Sequence, residues 1–173
     1  MSRIPVITPI TITDIAQLQA VALQAYRDHY LHLWHEGGEW YMQKSFSTNR
    51  LLAELSDGNA KFFIVYADGA AVGFVKINID APFESEQNAL ELERIYFIKA
   101  ASGKGIGSAA VNFVFALAKK MGKQIVWLKV MDSSAAAIAF YKKLGFSICG
   151  TYHLDFVQMK EEYRGMYIMK KQL

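Results

Sequence analysis

Short β-branched, apolar runs alternate with stretches of helical spacing along most of the chain. Residues 4–10 are β-branched and apolar and read as a strand. Thr11 or Thr13 then offers an N-cap before Ile15, Leu18, Ala22, Ala25 and Tyr26, which recur at the spacing of one helix face. This helix is expected to run to about Leu33, where His35-Glu36-Gly37-Gly38-Glu39 breaks it. A second helix, capped by Ser47 or Thr48, carries Leu51, Leu52 and Leu55 and stops at Asp57-Gly58.

Phe62-Phe63-Ile64-Val65-Tyr66 and the apolar run over residues 71–79 flank Asp68-Gly69, a strong hairpin signal, so these two strands should be antiparallel neighbours. A polar loop with Pro82 follows, and residues 90–98 read as another strand. Residues 105–120 are apolar almost all round, which predicts a helix buried against a sheet. A strand over residues 125–130, a helix over residues 134–144 ended by Gly145, and strands near residues 146–152 and 163–170 complete the pattern. The order β-α-α-β-β-β-α-β-α-β-β predicts an α/β (α+β) chain: a mixed sheet with helices on its faces.

Composition narrows this picture. At 173 residues, with 53% hydrophobic and 20% charged side chains, the chain suits one packed domain over residues 1–173 and leaves little for a disordered tail. The net charge of +3 is spread out and favours an anionic ligand only mildly. With no basic run interleaved with aromatics, a nucleic-acid partner is not expected. Cys149 is the single cysteine, so no intramolecular disulfide can form and a reducing compartment fits. Met1-Ser2-Arg3-Ile4-Pro5 does not open a secretory leader, and no apolar run approaches a membrane span. A cytoplasmic protein with no membrane partner, monomer or homodimer, is the expectation.

The candidate chemistry begins at Ser102-Gly103-Lys104-Gly105-Ile106-Gly107-Ser108, which joins a strand to the most apolar helix. Glycines at 103, 105 and 107 let the backbone approach a ligand, and the first N–H groups of a helix lack internal partners. Together with the helix dipole they suit a pyrophosphate. The segment is not a Walker loop, because Lys104 precedes Gly105. It is also a poor dinucleotide fingerprint, because no strand with a terminal acid follows about 20 residues on.

Three segments together resemble the GNAT superfamily of N-acetyltransferases. Glu91-Leu92-Glu93-Arg94-Ile95-Tyr96-Phe97 followed by the glycine loop is similar to the family's fourth strand and acyl-CoA loop. Trp127-Leu128-Lys129-Val130 is similar to its fifth strand, and residues 137–146 to its next helix and turn. Within the superfamily the chain looks most similar to the Pai-type polyamine acetyltransferases, through Phe62-Phe63-Ile64-Val65-Tyr66, residues 73–80 and Leu92-Glu93-Arg94-Ile95-Tyr96. The resemblance implies a six- or seven-stranded, mainly antiparallel sheet with about four helices, splayed between strands 4 and 5. It also implies acetyl-CoA as cosubstrate, no metal, and a small-molecule amine such as spermidine or spermine as acceptor.

By the same resemblance, backbone groups of Ile95, Tyr96 and Phe97 would pair with the pantetheine arm. Gly103, Lys104, Gly105, Ile106, Gly107 and Ser108 would hold the pyrophosphate, with Ser134 and Tyr141 also at the cofactor. Two residues depart from the family pattern: Ser102 stands where Gln or Arg is usual, and Ser134 where Asn is usual. Tyr141 occupies the place of the general acid at the CoA sulfur, although apart from the resemblance it reads rather as a packed helix aromatic beside Phe140. Glu91 and Glu93, two apart on a strand, share a face, and either could be the general base.

Other groupings carry less. His29, His32 and His35 drift around a helix with no acid pair beside them, which argues against a metal site. Cys149 has no base partner and reads as packing. Tyr26, Tyr30, Trp34, Trp40 and Tyr41, with Asp28, Glu36 and Glu39, could line an amine pocket by cation–π and charge contact, or could be ordinary core aromatics. An N-terminal or lysine acceptor on a peptide would need an open groove, which a long stretch over residues 154–162 would obstruct; a non-catalytic CoA-binding module is the remaining alternative.

Overall fold

The hairpin expected at Asp68-Gly69 is present: both residues have positive φ, 52° and 80°, the geometry of the tight turns that match strand twist. It joins β2 (Ala60–Ala67) to β3 (Ala70–Asn78) in a computed structural model that describes residues 4–173. Met1-Ser2-Arg3, read above for a leader, lie outside the described residues. The other strands are β1 (Val6–Pro9), β4 (Ala89–Phe97), β5 (Ile125–Met131), β6 (Ser147–His153) and β7 (Gly165–Gln172). They form one seven-stranded sheet in the order β1-β2-β3-β4-β5-β7-β6, in which β4 and β5 are parallel and every other pair antiparallel.

Both faces of the sheet are covered. Successive β2 residues point to opposite sides, so Phe63 and Val65 enter one core and Phe62 and Ile64 the other. The first core lies under α4 (Ile106–Lys120), which buries Ile106, Ala110, Val111, Val114, Phe115 and Ala118. Beside it runs α5 (Ala135–Lys143), so close that a Cβ on Gly107 would stand 3.3 Å from Phe140. The second core lies under α1 (Ile15–His29), α2 (Glu39–Phe46) and α3 (Thr48–Ser56), the last capped by Ser47, whose hydroxyl accepts from Arg50 N–H.

α2 falls where the sequence pattern reads only as a break. The first helix stops at His29, a 3-10 turn covers Leu31–Leu33, and Gly37 and Gly38, with φ of 77° and 84°, turn the chain into a new helix instead of ending one. Met42 and Phe46 are the apolar anchors that seat it, too few to give a clear period over eight residues.

Two irregularities of β4 position the site. Its parallel pairing with β5 extends only from Ala89↔Ile125 to Glu91↔Trp127; beyond these the strands part. On its other edge the register slips between Lys76↔Arg94 and Ile77↔Leu92, so Glu93 is an extra residue in β4. The bulge brings Glu93 and Arg94 both to the side of α1 and α3, where strict alternation would place them on opposite faces.

Candidate active site

Where β4 and β5 part, two cavities open that share Tyr30, Leu33, Ile95, Met131 and Ser134 as walls. One, the Ser102 cavity, extends toward Phe97, Ser102 and Ser133, beside the head of α4. The other, the Tyr141 cavity, about 450 Å³, is bordered by Tyr141 on one side and by Glu91, Glu93 and Arg94 on another. Residues 33–35 roof it together with the β6–β7 connection: Trp34 and Met159 form an antiparallel bridge, His35 N–H donates to Gln158 at 3.1 Å, and Lys160 N–H donates to Leu33 at 2.8 Å.

The head of α4 has the geometry expected of an anion cradle. Gly103 and Gly105 adopt φ of 74° and 76°, with open space where a Cβ would stand, and Gly105 is the N-cap. No backbone N–H from residue 103 to residue 108 finds a partner among the described residues, and residues 103–105 are exposed. The first internal bond is Ala109 N–H to Gly105 C=O at 3.1 Å. Gly107 has a different cause: it lets Phe140 and Phe97 approach. Free amides at the positive end of a four-turn helix fit a diphosphate, and the gap beside β4 fits an extended arm leading from it to Tyr141.

Tyr141 packs against Phe140 and Phe146, with ring centroids 5.1 and 5.6 Å away, and lines the cavity named for it. Burial, with a smaller contribution from Tyr30, pushes its phenol up, so it keeps its proton. Its hydroxyl has no hydrogen bond among the described residues.

Glu91 and Glu93 do share a face, and Asn78 Nδ2 donates to both, at 3.0 and 3.2 Å. Their surroundings differ. Burial raises Glu91, with a further push from Glu93, against lowering by Asn78 and Lys129. Burial pushes Glu93 up as well, but Arg94, Lys76 and Asn78 outweigh it and hold it low. Lys76, 5% exposed, reaches Glu93 at 2.6 Å and Glu54 at 3.1 Å, and Arg94 reaches Glu54 at 3.3 Å. Neither Lys76 nor Glu54 carries a sequence signal for such a network; Glu54 lies on a helix face that reads as exposed, and the β4 bulge cannot be foreseen.

Of the other aromatics expected at the site, Tyr26, Tyr30, Trp34 and Tyr41 line the Tyr141 cavity, whereas the acids expected with them do not. Asp28 accepts from Lys99 N–H at 2.8 Å instead, and Glu36 and Glu39 are exposed and line neither cavity. Lys44, unmarked in the sequence, takes a wall position. His29 and His32 border the Ser102 cavity, and no group of three or more His, Cys, Asp or Glu among the described residues could hold a metal. Cys149 Sγ donates to Ile168 C=O at 3.4 Å on β6, away from both cavities. No helix among the described residues is long and apolar enough to cross a membrane.

Comparison with known proteins agrees with this geometry. A crystal structure of PaiA N-acetyltransferase from Thermoplasma acidophilum in complex with coenzyme A superposes with a TM-score of 0.77 at 25% identity, covering 98% of this chain and 99% of that one. An uncharacterized N-acetyltransferase of Methanocaldococcus jannaschii is 32% identical over 79% of this chain and 58% of its own length. Another, from Lactobacillus delbrueckii subsp. lactis, is 27% identical over 62% of this chain and 63% of its own length. The chain thus spans about three fifths of these two curated relatives. The model of the Acetyltransferase (GNAT) family matches residues 20–146, well over half of the 173 residues, and the chain belongs to that family, whose acyltransferases take acetyl-CoA as donor.

Proposed function

We propose that residues 1–173 act as one N-acetyltransferase domain that moves an acetyl group from acetyl-CoA directly to the primary amine of a small acceptor. The observation that carries this is the continuity of the unpaired amides at the head of α4, the gap between β4 and β5, and a roofed cavity bordered by a protonated phenol and a carboxylate.

Bound acetyl-CoA supplies an activated thioester. Backbone N–H groups of Gly103, Lys104, Gly105, Ile106, Gly107 and Ser108 grip its pyrophosphate, and the free edge of β4 at Ile95, Tyr96 and Phe97 aligns its arm, with Ser134 beside it. Glu91 takes a proton from the incoming ammonium, directly or through one water, so that the nitrogen lone pair becomes available. Glu93 is the poorer base because Lys76 and Arg94 hold its charge. Tyr141 gives its proton to the departing sulfur, a role that its burial suits, since the phenol is not ionised beforehand.

The likeness to PaiA and the presence of Glu91 support a polyamine such as spermidine or spermine. The cavity wall weighs against a polycation: Lys44, Arg50, Arg94 and Lys129 line it against Glu91 and Glu93. The roof from Trp34 to Met159 favours a small acceptor over a peptide laid in an open groove. Incubation with acetyl-CoA and a panel of small amines tests the reading: an N-acetylated amine and free CoA should appear together, and tight CoA binding without transfer to any amine would leave only a CoA-binding module.

A further inference from the structure

The wall of the Tyr141 cavity is rich in donors and poor in acceptors. Arg94 is the clearest case. Its side chain is 12% exposed and lies 5.6 Å from the Phe46 ring; Nη1 donates to Glu54 Oε2 at 3.3 Å and Nε pairs with Glu93 Oε2 at 3.5 Å. A guanidinium has five N–H donors, so the second Nη1 proton and both Nη2 protons have no partner among the described residues in a side chain that lines the cavity. Around it stand phenols. Tyr26 accepts from Trp34 Nε1 at 2.7 Å, which leaves its own proton to give, and the hydroxyls of Tyr41 and Tyr96 have no partner among the described residues. The Tyr26 ring lies 5.1 Å from that of Tyr41 and 6.0 Å from that of Tyr96, and all three residues line the cavity.

The charge count points the same way. Counting the Lys76 and Glu54 that stand behind the wall, five cations (Lys44, Arg50, Lys76, Arg94, Lys129) meet three carboxylates (Glu54, Glu91, Glu93). Lys44 has no carboxylate partner among the described residues; its ammonium sits 4.3 Å above the Phe156 ring, which belongs to the roof. An ammonium ligand needs acceptors, and here only Glu91 is not already held by a cation within ion-pair distance. A carboxylate needs donors, which this wall offers in excess.

We propose that the acceptor is a small amine that also carries a carboxylate, an amino-acid-type substrate. Arg94 and the Tyr41 and Tyr96 hydroxyls bind the carboxylate, Lys44 attracts it at the rim, and Glu91 receives the amine. This rests on the acetyltransferase reading above and names its substrate class. Lysine and cadaverine, leucine and isoamylamine, and 4-aminobutyrate and propylamine are pairs that differ only in the carboxylate. Their kcat/KM values, followed by release of the CoA thiol, are compared for the wild type, Arg94→Gln and Lys44→Gln.

In at least one pair the acid should exceed its decarboxylated partner by about tenfold or more, chiefly through a lower KM, because unpaired donors reject a ligand that lacks the matching group. Both variants should raise KM for the acid more than for the plain amine, so that the ratio falls toward one. Lys44 lies at the exposed rim, so its variant keeps the test open if Arg94→Gln fails to fold. Transfer to the plain amines as fast as to the acids, or ratios that neither variant moves, would overturn the substrate class and leave the acetyltransferase standing. No transfer to any member, with CoA bound, would remove both.

Discussion

Lys76 Nζ stands 2.6 Å from Glu93 Oε2, and this contact makes the two glutamates on the cavity side of β4 unequal. Glu93 is matched by a buried ammonium and by Arg94; Glu91 has an amide, Asn78, as its hydrogen-bond partner. Two carboxylates whose surroundings push their proton affinities apart are suited to different work. On this account Glu91 is the proton acceptor and Glu93 is part of the scaffold.

Glu91→Gln should therefore lower kcat/KM by about 100-fold at neutral pH. The pH profile gives the sharper check. The base must be ionised, and burial raises Glu91, so the wild-type rate should climb with pH through a value above the ordinary carboxylate range. In Glu91→Gln that acid limb should disappear. An unchanged limb would transfer the role to another group or to water.

Tyr141→Phe should lower kcat by about 100-fold while leaving CoA affinity by calorimetry within about twofold, since the ring contacts with Phe140 and Phe146 are kept. Wild-type turnover by the variant would return Tyr141 to a packing role.

Lys76→Met should destabilise the fold by about 3–5 kcal/mol, because it leaves Glu54 and Glu93 with less compensation in a buried setting. Urea unfolding measures it, as a lower midpoint at unchanged slope. The pH sign follows from Glu93, which is held below its unfolded value. Its contribution is present above that unfolded value and is lost as pH falls through the folded one, so the gap between wild type and variant should narrow in acid. A gap below about 1 kcal/mol near neutral pH would contradict the buried network.

The parts of the fold that were legible in the sequence are those set by local pattern. Asp68-Gly69 accepts two positive φ angles, so its hairpin was readable, and the apolar face of α4 identified the helix that covers the sheet. The glycine turn at the head of α4 was readable for the same reason, because Gly103 and Gly105 act through backbone conformation alone. What was not readable depends on distant parts of the chain. The bulge at Glu93 turns Arg94 toward Glu54, forty residues earlier, and no period announces it. α2 is too short and too sparsely apolar to stand out, and its Lys44 acquires a setting only when Phe156 folds over it. The acids beside the aromatic cluster do not join it, since Asp28 gives its carboxylate to the Lys99 amide.

A crystal structure of the protein with bound CoA measures the centre of the account directly. Diphosphate oxygens should lie within about 3.2 Å of amide nitrogens among residues 103–108, with the sulfur in the gap between β4 and β5 facing Tyr141. CoA lodged elsewhere with those amides solvated, or the turn closed by the protein's own side chains, would contradict it.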